Sequence, residues 1–328
     1  MTGGVVIGLS AVVVAVRDGE ACALTVRPHD ARTSRPSTLP GLPFGPFDPD
    51  GRRTFELALR AFVTEQTRFE LGYVEQLYTF GDKGRDAPLA DIGPELGAGG
   101  QRVISVGYLA LTPPDQAAAA ADTRWSPWPR FFPYEDWRGG RPPVIDEEIA
   151  PRLTAWAAGQ EPRLARIRTL FALEGAPWRD ERVLERYELL YEAALAPEAA
   201  RDRDRAWGLT APEPPADHPF GAPMISDHRR ILATALGRLR GKLRYRPVIF
   251  ELTPPEFTLS ELQHTVEAIV GVPLHKQNFR RGLERAGFVR GLGRMQAETG
   301  GRPAELFCHQ SPGLGPASGL ALPLLLPR

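Results

Sequence analysis

At 328 residues the chain has room for two or three domains, each burying a core of its own. Forty Lys and Arg balance forty Asp and Glu, so net charge offers no global attraction to nucleic acid. Cys22 and Cys308 are too few for a disulfide framework and form no metal-like pair, which fits a reduced cytoplasm. The charge is uneven, however. From Asp227 to Gln310 fourteen Lys and Arg face eight Asp and Glu, which makes this the candidate nucleic-acid end. The apolar run Val5 to Val16 lacks a basic leader and is shorter than the roughly 17 residues a membrane span needs; Leu320 to Leu326 is shorter still and contains Pro323. No membrane segment is expected.

In chain order, residues 1–116 alternate strand and helix signals as a mixed α/β domain does. Val5 to Val16 and Ala21 to Arg27 flank Asp18-Gly19, a hairpin signal. A Pro/Gly-rich loop, Arg32 to Asp50, leads into Thr54 to Thr67, where Phe55, Leu59, Phe62 and Val63 recur at helical spacing. Tyr73 to Phe80 and Val103 to Leu111 read as two further strands, and Thr112-Pro113-Pro114 ends the unit. Residues 117–222 differ in texture. All six tryptophans fall here (Trp125, Trp128, Trp137, Trp156, Trp178 and Trp207), and Arg182 to Leu195 is an amphipathic helix with Val183, Leu184, Tyr187, Leu190, Tyr191 and Ala194 on one stripe. Linkers do not concentrate large aromatics, so the stretch is read as a helical insertion packed on the first domain; a protein-interaction module is the rival reading. Pro212 to Pro223 marks the boundary with residues 223–310, and residues 311–328 are a tail.

The last domain has the clearest pattern. Ile231, Leu232, Ala235, Leu236 and Leu239 mark a helix, and Val248 to Leu252 is a short apolar run taken as a strand. Thr258 precedes Glu261 by three residues, the spacing of a capping box, with Leu262, Val266, Ile269 and Val270 as the buried face of a second helix ended by Gly271. A third helix runs from about His275 to Ala286, with Phe279, Leu283 and Ala286 inward and Gly287 as its stop. Phe288-Val289 and Glu305-Leu306-Phe307 bracket Gly300-Gly301-Arg302-Pro303. The order helix, strand, helix, turn, helix, hairpin predicts an α+β winged helix-turn-helix.

If Phe279 and Leu283 are inward, the opposite face of the third helix and its flanks carry Lys276, Gln277, Asn278, Arg280, Arg281 and Arg285, and the wing adds Arg294 and Arg302. Arg and Lys can take guanine edges or phosphates, and Gln and Asn can pair with adenine. A basic helix alone could equally be a solvated face. Its place in a helix-turn-helix with a wing favours double-stranded DNA as partner.

Residues 51–68 align with the Nudix box, G-x5-E-x7-R-E-U-x-E-E-x-G-U, in which several carboxylates hold magnesium around a diphosphate. Arg60 keeps the box's Arg and Phe62 its apolar position, but Arg52, Ala61 and Thr64 stand in place of carboxylates and Thr67 in place of Gly; Glu65 alone remains of the metal-binding set. The expectation is a Nudix-like fold without the hydrolase, with no catalytic or metal-ligating residue assigned. An active nucleotide-diphosphate hydrolase with an appended DNA-binding domain is the alternative, in which Glu56, Glu65, Glu70, Asp48 and Asp50 would supply carboxylates from displaced positions. Arg27, Arg60 and Arg102 are candidate phosphate partners, though each could be a surface charge or structural ion pair. A structural role, capping or bridging, is expected of His228.

With Asp227-His228-Arg229-Arg230-Ile231-Leu232, Tyr245-Arg246-Pro247, Glu256-Phe257-Thr258-Leu259-Ser260-Glu261-Leu262-Gln263, Asn278-Phe279-Arg280-Arg281 and Gly301-Arg302-Pro303-Ala304, the chain resembles the Nudix-related transcriptional regulators of NAD metabolism, the NrtR-like family. Phe131-Phe132-Pro133-Tyr134-Glu135-Asp136-Trp137 looks more like the NadQ-type branch. The resemblance implies a cytoplasmic repressor of NAD biosynthesis genes, a homodimer on a palindromic operator, and no required cofactor. It also implies an effector nucleotide, ADP-ribose in one branch and ATP in the other, for which Arg27, Arg60, Glu65 and Arg102 are the candidate binding residues.

Overall fold

A computed structural model describes residues 5–28, 37–48, 51, 54–68, 70–81, 102–115, 120, 122–207, 215, 217–296 and 303–310. Arg302, the Gly300-Gly301 turn, Arg52, Asp50, the side chain of Arg102 and the tail lie outside these residues.

The first unit is a mixed sheet. β1 (Val5–Arg17) turns through Asp18 and Gly19, both at positive φ, into antiparallel β2 (Glu20–Val26). Two consecutive left-handed residues are what a two-residue hairpin turn demands, which is why Asp-Gly stands there. β3 (Phe44–Pro46) pairs antiparallel with β1, inside the segment expected to be all loop. β4 (Tyr73–Phe80) pairs antiparallel with β5 (Arg102–Leu111), and β5 runs parallel to β1. A further strand, β6 (Thr123–Pro127), extends the sheet beside β2 to give the order β4-β5-β1-β2-β6. The segment read as a wholly helical insertion therefore opens with a strand of the first sheet.

Alternation along β1 sorts the two faces. Leu9, Ala11 and Val13 pack with Leu24, Val106, Tyr108 and Ala110 under α1 (Phe55–Thr67), whose Ala58, Leu59 and Val63 close that core. Val12, Val14 and Val16 face the other way, into a larger core continuous with the remaining helices. These are α2 (Trp128–Phe131), α3 (Ala150–Ala157), α4 (Glu161–Phe171), α5 (Val183–Glu192) and α6 (Pro197–Ala206), then α7 (His228–Leu243), α8 (Leu259–Val270) and α9 (Lys276–Ala286). Core packing accounts for five of the tryptophans: Trp128 is buried, while Trp125, Trp137, Trp156 and Trp178 are partly buried against the two cores. Trp207, 78% exposed, is the exception.

The winged helix is built from α7, α8, α9 and a three-stranded sheet of β7 (Glu256–Thr258), β9 (Ala304–His309) and β8 (Val289–Gln296) in that order. One expectation is corrected: Val248–Leu252 is a 3-10 turn that buries Val248, Ile249 and Leu252, and the strand comes later, at β7. A run of five apolar residues satisfies either a strand or a tight helical turn, and periodicity cannot separate the two. The capping box forms as read: Glu261 N–H donates to Thr258 Oγ1 at 3.1 Å, and Thr258 N–H donates to the Glu261 carboxylate at 2.7 Å. Gly271 and Gly287 end α8 and α9 at positive φ.

The insertion and the winged helix are fastened by buried charge. Glu135 accepts from Arg186 Nε at 2.5 Å and Nη2 at 3.0 Å, and from Arg240 Nη1 of α7 at 2.5 Å. Arg186 is fully buried and Arg240 nearly so. Replacing Glu135 by Ala strands two cations in a core, a change expected to cost about 3–5 kcal/mol. Urea unfolding of Glu135→Ala beside Thr258→Ala, for which about 1 kcal/mol is expected from the lost cap, measures the difference.

Candidate nucleic-acid interface and ligand cleft

The reading surface follows from how α9 is held. Phe279 and Leu283 are buried against α8, which turns Lys276, Gln277, Asn278, Arg281 and Arg285 outward as exposed side chains. Lys276, Arg281 and Arg285 have no ion-pair partner among the described residues, so their charge is available to a ligand. Arg280 differs from its neighbours. It is half-buried and donates to Ser260 Oγ of α8 at 3.4 Å, so it braces the helix pair. Arg294 is exposed on β8 but engaged by Glu256 of β7 in a surface ion pair. Arg290 on the same strand is exposed and was missed, because the Gly-rich sequence around it carries no helical period.

The candidate effector residues do not converge. Arg60, on α1, bonds the carbonyls of Leu71 and Gly72 and pairs with Glu56 at 2.9 Å, thereby tying α1 to the start of β4. Glu65 is exposed near the end of α1. Arg102 begins β5. Arg27 lies elsewhere, in an open cleft of about 220 Å³ lined also by Thr25, Pro40, Asp122, Thr123, Arg124, Ser126 and Arg130. Thr25 alternates with Leu24, which faces α1, so the cleft opens on the opposite face of the sheet from Arg60 and Glu65. Its floor is a pair of buried hydroxyls, Thr25 Oγ1 and Ser126 Oγ, 2.9 Å apart. Arg27, Arg124 and Arg130 are all exposed, and none has an ion-pair partner among the described residues. Three forked cations over two hydroxyls suit a phosphate or diphosphate, with Asp122 as the one opposing carboxylate. Arg124 and Arg130 escaped notice because they sit close to Trp125 and Trp128, in a segment read for burial alone.

Among the described residues, no three His, Cys, Asp or Glu side chains are grouped as a metal site; on α1, Glu56 is engaged by Arg60, and Glu65 follows it by nine residues, about 13 Å along a helix.

Around the cleft, the loop bearing Pro40 is pinned to α7. Ile225 N–H donates to the Pro40 carbonyl at 3.0 Å, and Leu42 N–H donates to His228 Nδ1 at 2.9 Å. The bridging role expected of His228 is thus that of an acceptor, for which the ring must be neutral at Nδ1. Burial, with a contribution from the Arg201 charge, pushes its pKa down to about 3.

Comparison with known proteins sets these features in context. Residues 249–308 match the family model of the NrtR DNA-binding winged helix domain. Over 81 residues, 25% of this chain, the sequence is 41% identical to the ADPR responsive transcriptional repressor NtrR of Acinetobacter baylyi, and the matched stretch spans 32% of that relative's length. The whole chain is similar in structure to Shewanella oneidensis NrtR complexed with a 27mer DNA, with a TM-score of 0.53 at 21% identity over 93% of each chain. It is also similar to a MutT/nudix family protein from Enterococcus faecalis, with a TM-score of 0.52 at 15% identity over 95% of this chain and 90% of the other. The fold is a Nudix-like α/β domain joined to a C-terminal winged helix. Residues 249–308 are similar to the NrtR DNA-binding winged helix, and the chain shares the fold of Shewanella oneidensis NrtR.

The His228 contact has a pH signature. Its folded-state pKa lies below the ordinary value, so the unfolded chain binds the extra proton first and stability falls as pH drops below about 6.5 toward 3, by at most about 1.4 kcal/mol per pH unit. Urea midpoints between pH 8 and 4 are expected to decline less steeply for His228→Gln than for the wild type.

Proposed function

We propose that this chain is a DNA-binding transcriptional repressor of NAD biosynthesis genes, acting in the cytoplasm, whose Nudix-like domain binds a nucleotide effector instead of hydrolysing one. The observation that carries the reading is the unpaired cationic face of α9, presented by a winged helix of the NrtR type. A major groove admits such a helix, with Gln277, Asn278 and Arg281 toward base edges and Lys276 and Arg285 toward phosphates. Arg280 and Arg294 act through their contacts with Ser260 and Glu256. A homodimer on a palindromic operator follows from the symmetry that paired half-sites require.

For the effector, the named response of the Acinetobacter relative to ADPR supports ADP-ribose, with ATP as the competitor for the same chemistry. The arginine cleft supports a diphosphate: Arg27, Arg124 and Arg130 supply the donors there. Arg60 and Glu65 then have structural and surface roles, in keeping with their place on the far face. The separation of Glu56 from Glu65 and the engagement of Glu56 by Arg60 support a domain without turnover.

Fluorescence anisotropy with duplex DNA from upstream of NAD biosynthesis genes tests the first half. Arg281→Ala is expected to weaken binding by about 1–3 kcal/mol and to relax sequence preference, whereas Lys276→Ala should weaken all duplexes alike and lower the salt slope by about one. Absence of binding at low salt would sink the repressor reading. For the second half, calorimetry with ADP-ribose and with ATP is expected to show an affinity for one of them that Arg130→Ala lowers at least about tenfold, the loss of one charged hydrogen bond. Magnesium-dependent hydrolysis abolished by Glu65→Ala would establish the hydrolase instead.

A further inference from the structure

The cleft and the reading helix are joined by one stretch of chain whose contacts can be followed residue by residue. Residues 126–138 begin in the cleft, where Ser126 and Arg130 are part of the lining. Arg229, at the start of α7, donates to the Phe131 carbonyl from Nε at 3.0 Å and from Nη2 at 2.7 Å. Glu135 holds Arg240 further along α7 twice, through its carboxylate at 2.5 Å and its carbonyl at 3.1 Å. The same guanidinium donates from Nε to the Ile269 carbonyl in the last turn of α8 at 2.8 Å. Trp137 N–H donates at 2.6 Å to the carbonyl of Gly271, the residue that ends α8 and opens the turn into α9. Arg138 completes the run by gripping the β1–β2 hairpin, at the Gly19 carbonyl (2.5 Å) and the Glu20 carboxylate (2.9 Å), while Asp136 holds the same guanidinium at 2.7 Å.

Where hairpin, stretch, α7 and α8 meet, the space left over is about 10 Å³, room for one water at most. Packing this tight does not yield continuously; a displacement at one end shifts the other or is refused. The stretch thus touches the cleft, both ends of α7 and the cap of α8 within thirteen residues.

We propose that residues 126–138 are the mechanical link through which occupation of the arginine cleft sets the placement of the α8–α9 turn, with Glu135 and Arg138 as its positioning residues. The inference rests on the reading of the cleft as the effector site. A ligand that favours one placement of Arg130 then favours one placement of Gly271, and DNA affinity changes by that difference. Arg138 fixes the far end of the link to the sensing sheet; without it the link is free to follow α7 and α8 instead of directing them.

The test uses the full chain as wild type, Glu135→Gln, Arg138→Gln and Arg138→Lys. ADP-ribose affinity is measured by calorimetry, and the affinity for a duplex selected by the wild type from a random pool is measured with and without saturating ADP-ribose. Arg138→Gln is expected to bind ADP-ribose alone and DNA alone within about threefold of wild type, while the ratio of DNA affinities without and with ADP-ribose falls at least about fivefold toward one. Arg138→Lys should recover part of that ratio. In hydrogen exchange, ADP-ribose is expected to alter protection at residues 271–276 of the wild type and to leave them unchanged in Arg138→Gln. Should Glu135→Gln fail to fold, Arg138→Gln decides alone. A wild-type ratio in Arg138→Gln overturns the proposal, as does loss of ADP-ribose binding itself, which would make Arg138 part of the site. A wild type whose DNA affinity ignores a bound ADP-ribose overturns the effector reading and the link with it, a result visible before any variant is made.

Discussion

The joint between the insertion and the winged helix depends on one buried carboxylate. Glu135 lies between Arg186 of α5 and Arg240 of α7, and the remaining guanidinium N–H groups are directed at carbonyls: Leu170, Arg179 and Asp180 for Arg186, and Asp180, Ile269 and Glu135 itself for Arg240. The Trp178 ring lies under the Arg186 guanidinium at 3.9 Å. Burying three charges is expensive, and a hydrophobic substitute of equal volume would often be as stable. What ions provide and a greasy contact would not is direction. Each guanidinium fixes the relative position of two or three chain segments to within a hydrogen-bond length, so the insertion and the winged helix become one packed body.

A second buried carboxylate, Glu198, repeats the device. Arg229 joins the Phe131 and Phe220 carbonyls to Glu198 of α6, and Arg201 of α6 holds the Met224 and Ser226 carbonyls just before α7. The insertion therefore supplies the acceptors and counter-charges on which α7 rests. On its opposite side α7 meets the sheet, with Lys242 on Glu75 and Tyr73, and with Ile231 so close to Gly107 that a side chain there would crowd it. Helix α7 thus packs on both the first sheet and the insertion while forming the first helix of the winged helix.

The legibility of this arrangement in the sequence was uneven for physical reasons. Local rules found the local structure: Asp18-Gly19 turns because the hairpin needs two left-handed residues, Thr258 caps because Glu261 reciprocates, and the alternation of β1 sorts its faces. The exposed face of α9 was likewise readable by subtraction, since Phe279 and Leu283 claim one side. Arginine is where reading fails. Arg186, Arg229 and Arg240 carry the same letter as Arg281 of α9, yet three are buried and one is exposed, and only the tertiary position of Glu135 and Glu198 separates them. A signal was nonetheless present: Glu135 stands among Phe131, Phe132, Tyr134 and Trp137, and a carboxylate inside an aromatic run that must be buried calls for a buried cation. The cleft was half legible for a related reason. Arg27 could be named from its strand, but Arg124 and Arg130 join it only because β6 pairs with β2, a long-range pairing that follows a loop and has no local signature.

Two glycines show that the insertion and the winged helix are fitted to each other. Gly221 and Gly271 both have positive φ, and a Cβ on either would overlap the backbone of residues 131–135: at Gly221 the Phe131 carbonyl, at Gly271 the Glu135 carbonyl. At Gly271 the αL conformation alone would admit Asn at a moderate cost, as it does at many helix ends. Contact with a backbone carbonyl admits no side chain at all. The two glycines therefore answer to the course of residues 131–135 as much as to their own turns, one lying just before α7 and the other just after α8. A segment that dictates the residue type at both edges of a helix pair is part of that helix pair's structure: a winged helix cut where its family pattern begins, at Ile249, would lose α7 with Arg229 and Arg240, and one cut at the start of α7 would still lose the carboxylate that orients Arg240 along with the carbonyls that hold Arg229.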